Sequence, residues 1–358
     1  MKVLIATGGT GGHIYPALAL ADIIRKEKSD WEIVFWGSSN RMEAEMIPER
    51  GYRFYGAKMS GMTSGIIAKV KSLVSLMEAE RYAKSVLRNE KPDIVVAFGN
   101  YISVPVVRAA KKLGIHIMLH EQNSYAGKAN RYLARMADAV AISYENNKEQ
   151  MPDEIDRMRL TGNPEATLAS EVVYDPSITA SYGIDPSIPF VVCMMGSLGS
   201  ETVSKVIDEA CALFDHEYQV LIAAGKANDY TYTYKSDAHI RIVPFVDGKQ
   251  MLKGCALAIV RAGATTLAEL TAIGTAALVI PSPHVANNHQ YYNAKALVDE
   301  GAAVMIEEKD LTAKGLSNAV NTLMKDPARL AKMRKNAKKT GRADAAYAMI
   351  RWIEELCA

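Results

Sequence analysis

Four glycines in five positions, Gly8, Gly9, Gly11 and Gly12, with His13 directly behind them, are the densest chemical signal in the chain. They end the apolar run Val3-Leu4-Ile5 and open an amphipathic segment. A turn this bare lets the backbone approach a polar ligand closely. The helix behind it offers free N–H groups and a positive dipole end. One or two glycines would satisfy a tight turn, so four point to ligand approach. His13 stands at the helix start, where its imidazole suits proton transfer near neutrality; the plainer reading is a residue bonded to nearby backbone. The spacing excludes two common nucleotide loops. G-x-G-x-x-G fails because Ile14 and Thr10 stand where glycine is needed, and no Gly-Lys-Ser/Thr follows for a phosphate loop.

A second turn, GSLGSE (196–201), repeats the design with Ser197 added. A hydroxyl and successive backbone N–H groups before a helix form a nest for phosphate oxygens, although serine in that place is more often a cap. A third, RAGATTLAEL (261–270), carries Glu269 about a turn and a half into its helix. A carboxylate there could accept from adjacent ribose hydroxyls, while a solvated glutamate is the common case. The stretch 281–297 gathers His, Asn and Gln at a helix start, and uncharged amides suit sugar hydroxyls. A fourth feature, His120-Glu121-Gln122-Asn123, follows an apolar strand directly and has no second partner at metal-ligand spacing.

Short apolar runs alternating with helical patterns must position these residues, which signals βαβ units and parallel sheets. Strands are expected at 2–7, 31–36, 93–98, 115–120 and 138–143, then at 189–195, 218–224, 239–243, 256–260 and 276–280. The stretch 160–189 breaks periodicity with four prolines, so a domain boundary is placed near Gly162-Asn163-Pro164. At 358 residues two domains are expected, each doubly wound, with their carboxyl-end crevices facing one cleft. Periodicity does not decide which domain the last helix (342–356) covers. The net charge of +2 gives no reason to expect nucleic acid, and the first 160 residues are mildly basic, with 23 Lys/Arg against 18 Asp/Glu. Cys193, Cys211, Cys255 and Cys357 lack metal or disulfide spacing and read as reduced thiols of a cytosolic protein. No signal peptide and no apolar run of membrane-span length is seen, so any work at a membrane is done from its surface.

Taken together, GGTGGHIYPALALA, HEQNSYAGKANRYLA, TGNP, GSLGS, RAGATTLAEL and NNHQYYNA closely resemble the MurG family over nearly the whole chain. Those are the bacterial undecaprenyl-diphospho-muramoylpentapeptide N-acetylglucosaminyltransferases, which make lipid II. The resemblance implies the GT-B fold of two Rossmann-like domains: 1–161 binding acceptor and membrane, 162–341 binding donor, and a helix at 342–358 returning to the first. It implies UDP-N-acetylglucosamine as donor, lipid I as acceptor, no metal or other cofactor, and a peripheral place on the cytoplasmic face of the membrane. By motif, Ser197 matches the diphosphate contact, Glu269 the ribose carboxylate and Val246 the backbone that reads uracil. Ala264, Thr265 and Thr266 match the stretch around the nucleotide, and Gln290 the residue that reads the donor sugar. Thr10, Gly11, Gly12 and Asn123 match positions near the transferred sugar, with Gly9 and Tyr101 toward the acceptor. His13 is the candidate general base, or else it positions the acceptor or stabilises charge.

Three departures stand out. FGNYISVP has Asn100 where the family usually has a glycine, Glu165-Ala166 stand where an arginine is usual, and His289 replaces one glutamine of a Gln-Gln pair. Around Met62–Arg88 apolar and basic residues lie side by side: Ile66, Ile67, Val70, Val74 and Met77 with Lys69, Lys71, Arg81, Lys84 and Arg88. Such a helix suits an anionic lipid surface or packs its apolar face on the sheet. Rival readings are a UDP-N-acetylglucosamine 2-epimerase or other GT-B transferase, a non-catalytic sugar-nucleotide-binding partner, and, as an outsider, an NAD-dependent oxidoreductase.

Overall fold

The computed structural model describes the chain except residues 60–65, 197–199 and 226–229, and for 66–71 it describes backbone only. The chain forms two compact units, Met1–Thr167 with Asp344–Ala358, and Leu168–Ala343. The break falls inside the proline-broken stretch.

The first unit is built on seven parallel strands: β1 (Lys2–Ala6), β2 (Glu32–Ser38), β3 (Arg53–Ala57), β4 (Ile94–Ala97), β5 (His116–Glu121), β6 (Ala139–Ile142) and β7 (Met158–Leu160). Their order is β3-β2-β1-β4-β5-β6-β7. The chain starts in mid-sheet, winds outward through β2 and β3, then restarts beside β1 and winds the other way. Val3 lies opposite both Ile33 and Ile94, and β1 and β4 are buried almost throughout because helices cover both faces. Between β1 and β4 the connections diverge, and ligands of such sheets bind outside the strand ends there.

The second unit repeats the pattern with β8 (Phe190–Met194), β9 (Gln219–Ala223), β10 (Ile240–Val243), β11 (Leu257–Val260), β12 (Ala277–Val279) and β13 (Ala303–Met305). The order β10-β9-β8-β11-β12-β13 puts its divergence point between β8 and β11. β3, β7 and β13 are additional to the strands expected from sequence, and all three are edge strands. With one flank unpaired they are only partly buried and need no continuous apolar run.

The last helix, Ala345–Cys357, belongs to the first unit. It buries Ala345, Ala346, Met349, Ile350, Trp352 and Ile353, a stripe at helical spacing. It packs on the helix Gly11–Glu27 and on β5. Glu354 pairs with Lys28, Glu355 lies 2.6 Å from Arg159, and the Arg159 guanidinium sits 4.5 Å above the Trp352 ring. The Ala346 N–H donates to Thr167 Oγ1 at 2.9 Å.

β5 delivers His120 into the interior, fully buried against Phe98, with Nε2 2.9 Å from the Gly162 carbonyl. Burial pushes its pKa down to about 4, with a smaller lowering from the charge of His13. The ring is therefore neutral and donates from Nε2.

Two predictions follow from this packing. Tryptophans 31, 36 and 352 all lie in the first unit, so fluorescence during urea unfolding reports that unit. Trp352→Ala should destabilise it by about 3–5 kcal/mol; an unchanged midpoint would show that the helix is not integral. A histidine with a folded pKa of about 4 against 6.5 stabilises above the unfolded value and loses that contribution as pH falls from 6.5 through 4. The neighbouring Glu121, whose carboxyl is raised chiefly by burial, acts in the opposite sense, so the comparison is between wild type and His120→Gln. The variant should lose less stability between pH 7 and 4, the difference being on the order of 3 kcal/mol; parallel pH curves would refute it.

Candidate functional site

At the divergence point of the first unit two glycine turns stand side by side, one after β1 and one after β4. Gly8 has φ 148°, and a Cβ there would sit 2.1 Å from the Glu43 carboxylate. Glu43 is wholly buried and accepts from the N–H groups of Gly9 and Ser38, each at 3.0 Å. A buried side chain thereby ties the turn after β1 to the end of β2. Asn100, the departure from the family pattern, lies in the left-handed region at φ 57°, which asparagine tolerates better than most residues. Its Nδ2 donates to the Gly8 carbonyl, and its Oδ1 accepts from the Ile102 N–H at 2.8 Å. The amide therefore staples the two turns together.

His13 is half-buried at the start of the helix Gly11–Glu27. Its N–H donates to the Thr10 carbonyl at 3.1 Å, and its Nδ1 lies 2.9 Å from Thr10 Oγ1. If Nδ1–H is the donor in that pair, Nε2 carries the lone pair that a general base needs. Thr10 and Gly12 are exposed, and Gly9 and Gly11 partly so. Tyr101 follows Asn100 with its hydroxyl buried and lacking a hydrogen-bond partner.

The turn after β5 is organised by Glu121, 2% exposed. Its carboxylate accepts from Asn123 N at 3.0 Å, Asn123 Nδ2 at 3.3 Å, Gly127 N at 2.9 Å and Asn130 Nδ2 at 2.9 Å. Asn123 is thus held by Glu121, and Gln122 is anchored through Nε2 to the Phe98 carbonyl at 2.7 Å. Three of the four polar residues in this motif are buried supports, and Asn123 is partly exposed.

The divergence point of the second unit has the same plan. Gly196 (φ 86°) follows β8, and the helix Glu201–Ala210 begins after Ser200. Ser197 lies outside the described residues. After β11, Arg261 donates to Ser200 Oγ at 2.7 Å and to the Ile280 carbonyl at 3.1 Å, and it pairs with Glu308 at 2.7 Å. Arg261 is the counterpart of Asn100: one long side chain joins the turn after β8 to the turn after β11.

Ala264, Thr265 and Thr266 form the first turn of the helix Ala264–Ile273, and the Thr265 hydroxyl is buried with no hydrogen-bond partner. Glu269, on the same helix, lies 3.3 Å from Lys249 Nζ. Val246 is buried beside Asp247, which caps the helix Gly248–Gly254. Gln290 commits its carbonyl oxygen to the Ser282 N–H at 2.9 Å. Asn287 and Asn288, both left-handed, turn the chain into the helix His289–Asp299. Asn288 shares the lining of a surface hollow with Tyr291, Glu308 and Lys309.

The structure therefore brings Gly9, Thr10, Gly11, Gly12, His13, Tyr101 and Asn123 onto the strand ends of one unit. It brings Val246, Ala264, Thr265, Thr266, Glu269 and Gln290 onto those of the other. Glu43, Arg261 and Lys249 were not singled out from sequence, because their partners lie in other elements. Only the i, i+4 pairing of Glu43 with Ile47, the buried residues of the helix Glu43–Glu49, hinted that this carboxylate faces inward. Among the described residues no group of three or more His, Cys, Asp and Glu could hold a metal ion.

The glycosyltransferase family 28 N-terminal domain matches residues 3–142, and the family's C-terminal domain matches residues 190–349. The UDP-N-acetylglucosamine--N-acetylmuramyl-(pentapeptide) pyrophosphoryl-undecaprenol N-acetylglucosamine transferase 1 of Bacillus cereus is 37% identical over 99% of both chains. The enzyme of that name from Limosilactobacillus fermentum is 34% identical over 100% of this chain and 99% of its own. In fold the chain is similar to Acinetobacter baumannii MurG (TM-score 0.79, 24% identity, 99% of each chain). It is also similar to the Neisseria meningitidis UDP-GlcNAc 2-epimerase (TM-score 0.69, 14% identity, 99% of this chain and 100% of that one). The fold is GT-B. Fold likeness spans transferases and epimerases alike, whereas identity above one third over full length is shared with the transferases; the chain belongs to glycosyltransferase family 28 and, within it, to the UDP-N-acetylglucosamine--N-acetylmuramyl-(pentapeptide) pyrophosphoryl-undecaprenol N-acetylglucosamine transferases.

Proposed function

We propose that the protein transfers N-acetylglucosamine from UDP-N-acetylglucosamine to the C4 hydroxyl of undecaprenyl-diphospho-MurNAc-pentapeptide, with inversion. The observation that carries this reading is full-length similarity to transferases bearing that name, with the candidate residues gathered at strand ends in each unit. In one displacement the acceptor O4 attacks the anomeric carbon of the donor. The bond from that carbon to the diphosphate oxygen breaks, and UDP leaves with the electron pair. His13 Nε2 takes the hydroxyl proton, oriented through Nδ1 by Thr10. Charge developing on the diphosphate is met by the N-terminus of the helix Glu201–Ala210, whose free N–H groups and dipole stand in for a metal ion. Glu269 accepts from the ribose, Val246 backbone reads uracil and Gln290 reads the sugar.

The protein works, in this reading, peripherally on the cytoplasmic face of the membrane. No described helix is long and apolar enough to cross a membrane. The long helix Ile66–Glu90 divides in two. Its later part buries Ala79, Ala83, Val86 and Leu87 in the core, whereas Leu73, Val74 and Met77 are 58%, 48% and 52% exposed. An apolar patch of this kind next to basic residues suits an anionic lipid surface.

Radiolabelled donor and a short-chain lipid I analogue should yield UDP and glycolipid together, undiminished by EDTA. Donor alone should be left intact; its conversion without acceptor would favour the epimerase reading. His13→Ala should lower transfer by about 10²–10⁴-fold with donor affinity little changed, and a drop of less than tenfold would remove His13 from the role of base. Binding to vesicles rich in anionic phospholipid should weaken on added salt and fall several-fold in Leu73→Ser/Met77→Ser. Unaltered binding by that variant would move the lipid contact elsewhere.

A further inference from the structure

We propose that Lys249 is a positioning residue for donor binding: its ammonium fixes the Glu269 carboxylate in the orientation that accepts the ribose hydroxyls. The inference rests on reading Glu269 as the ribose-binding carboxylate. Lys249 Nζ lies 3.3 Å from Glu269 Oε1, with the two side chains 30% and 16% exposed. A glutamate has three rotatable side-chain bonds, and one this shielded from water needs a partner to stay in a single rotamer. A carboxylate offers about four lone-pair positions, so one ammonium contact does not by itself exhaust it.

The two residues come from different elements. Lys249 is the second residue of the helix Gly248–Gly254, which packs on the Glu269 helix. That helix is fixed at its start by Asp247, whose carboxylate accepts from Gln250 N at 3.1 Å and whose N–H donates to the Tyr182 hydroxyl at 2.9 Å. Val246 stands one residue before this cap. The ion pair therefore joins the segment assigned to the base with the helix assigned to the sugar, so both parts of a nucleoside meet groups already in register. Lys249 touches no reacting atom in this scheme and acts through Glu269.

Isothermal titration of the full-length protein with UDP and with 2′-deoxy-UDP tests this without relying on turnover. Wild type should prefer UDP by tenfold or more. Lys249→Met should weaken UDP five- to tenfold while changing 2′-deoxy-UDP less than twofold, so the preference collapses; general damage to the fold would weaken both alike. Lys249→Arg, which keeps a donor and the charge, should restore most of the preference. Glu269→Gln should abolish it. A Lys249→Met protein that still discriminates, or that binds UDP more tightly than wild type, overturns the proposal while leaving Glu269 in place. A Glu269→Gln protein that still discriminates overturns the ribose reading itself.

Discussion

Each sheet has one place where neighbouring parallel strands, paired along their length, send their chains in opposite directions past their carboxyl ends, so that a gap opens beyond the ladder. In this protein a single side chain spans the gap each time. Asn100 reaches from the turn after β4 to the Gly8 carbonyl behind β1. Arg261 reaches from the turn after β11 to Ser200 behind β8. Gly9, Thr10, Gly11, Gly12, His13 and Tyr101 in one unit, and Ala264, Thr265 and Thr266 in the other, follow the turns braced in this way. An open crevice with defined walls is what a ligand site at a parallel sheet requires.

Buried carboxylates perform the second level of support. Glu43 and Glu121 are fully shielded, yet each is surrounded by N–H donors rather than by cations. A buried carboxyl oxygen left without a donor is costly, so the N–H groups that meet these two side chains hold the turns in place. A turn wrapped around a carboxylate therefore has one favourable conformation. Gly8 shows the geometric side of this, since the Glu43 oxygens occupy the place where a side chain would go. The glycine cluster thus answers to a demand from inside the unit, room for the Glu43 side chain.

The interior strands were legible in the sequence because both faces are covered, which makes them continuous apolar runs. Three of the four edge strands were not: β3 carries Arg53 and Gly56, β7 carries Arg159, and β13 spans only Ala303–Met305, whereas the edge strand β10 keeps an apolar run and was expected. The placement of local motifs, such as the glycines before His13 in a turn or Glu269 in its helix, was readable from spacing. Supports were harder to see. Asn100 was visible as an oddity, but its bond to Gly8 spans 92 residues, and no local pattern marks it. The polar run His120–Asn123 was noticed for the right place in the fold. Its chemistry differs from its appearance, since burial makes His120, Glu121 and Gln122 scaffolding for the partly exposed Asn123.

The helix Ala345–Cys357 completes the first unit although all of Leu168–Ala343 intervenes in the chain. During synthesis the ribosome must therefore finish the entire second unit before the first can close over Trp352. At about 5–20 residues per second that delay is about ten seconds or more. For that interval the surface the helix will cover, on the helix Gly11–Glu27 and β5, stays open to chaperones while a continuous, self-contained unit is free to fold downstream. The order of birth along the chain is thus inverted in the order of completion.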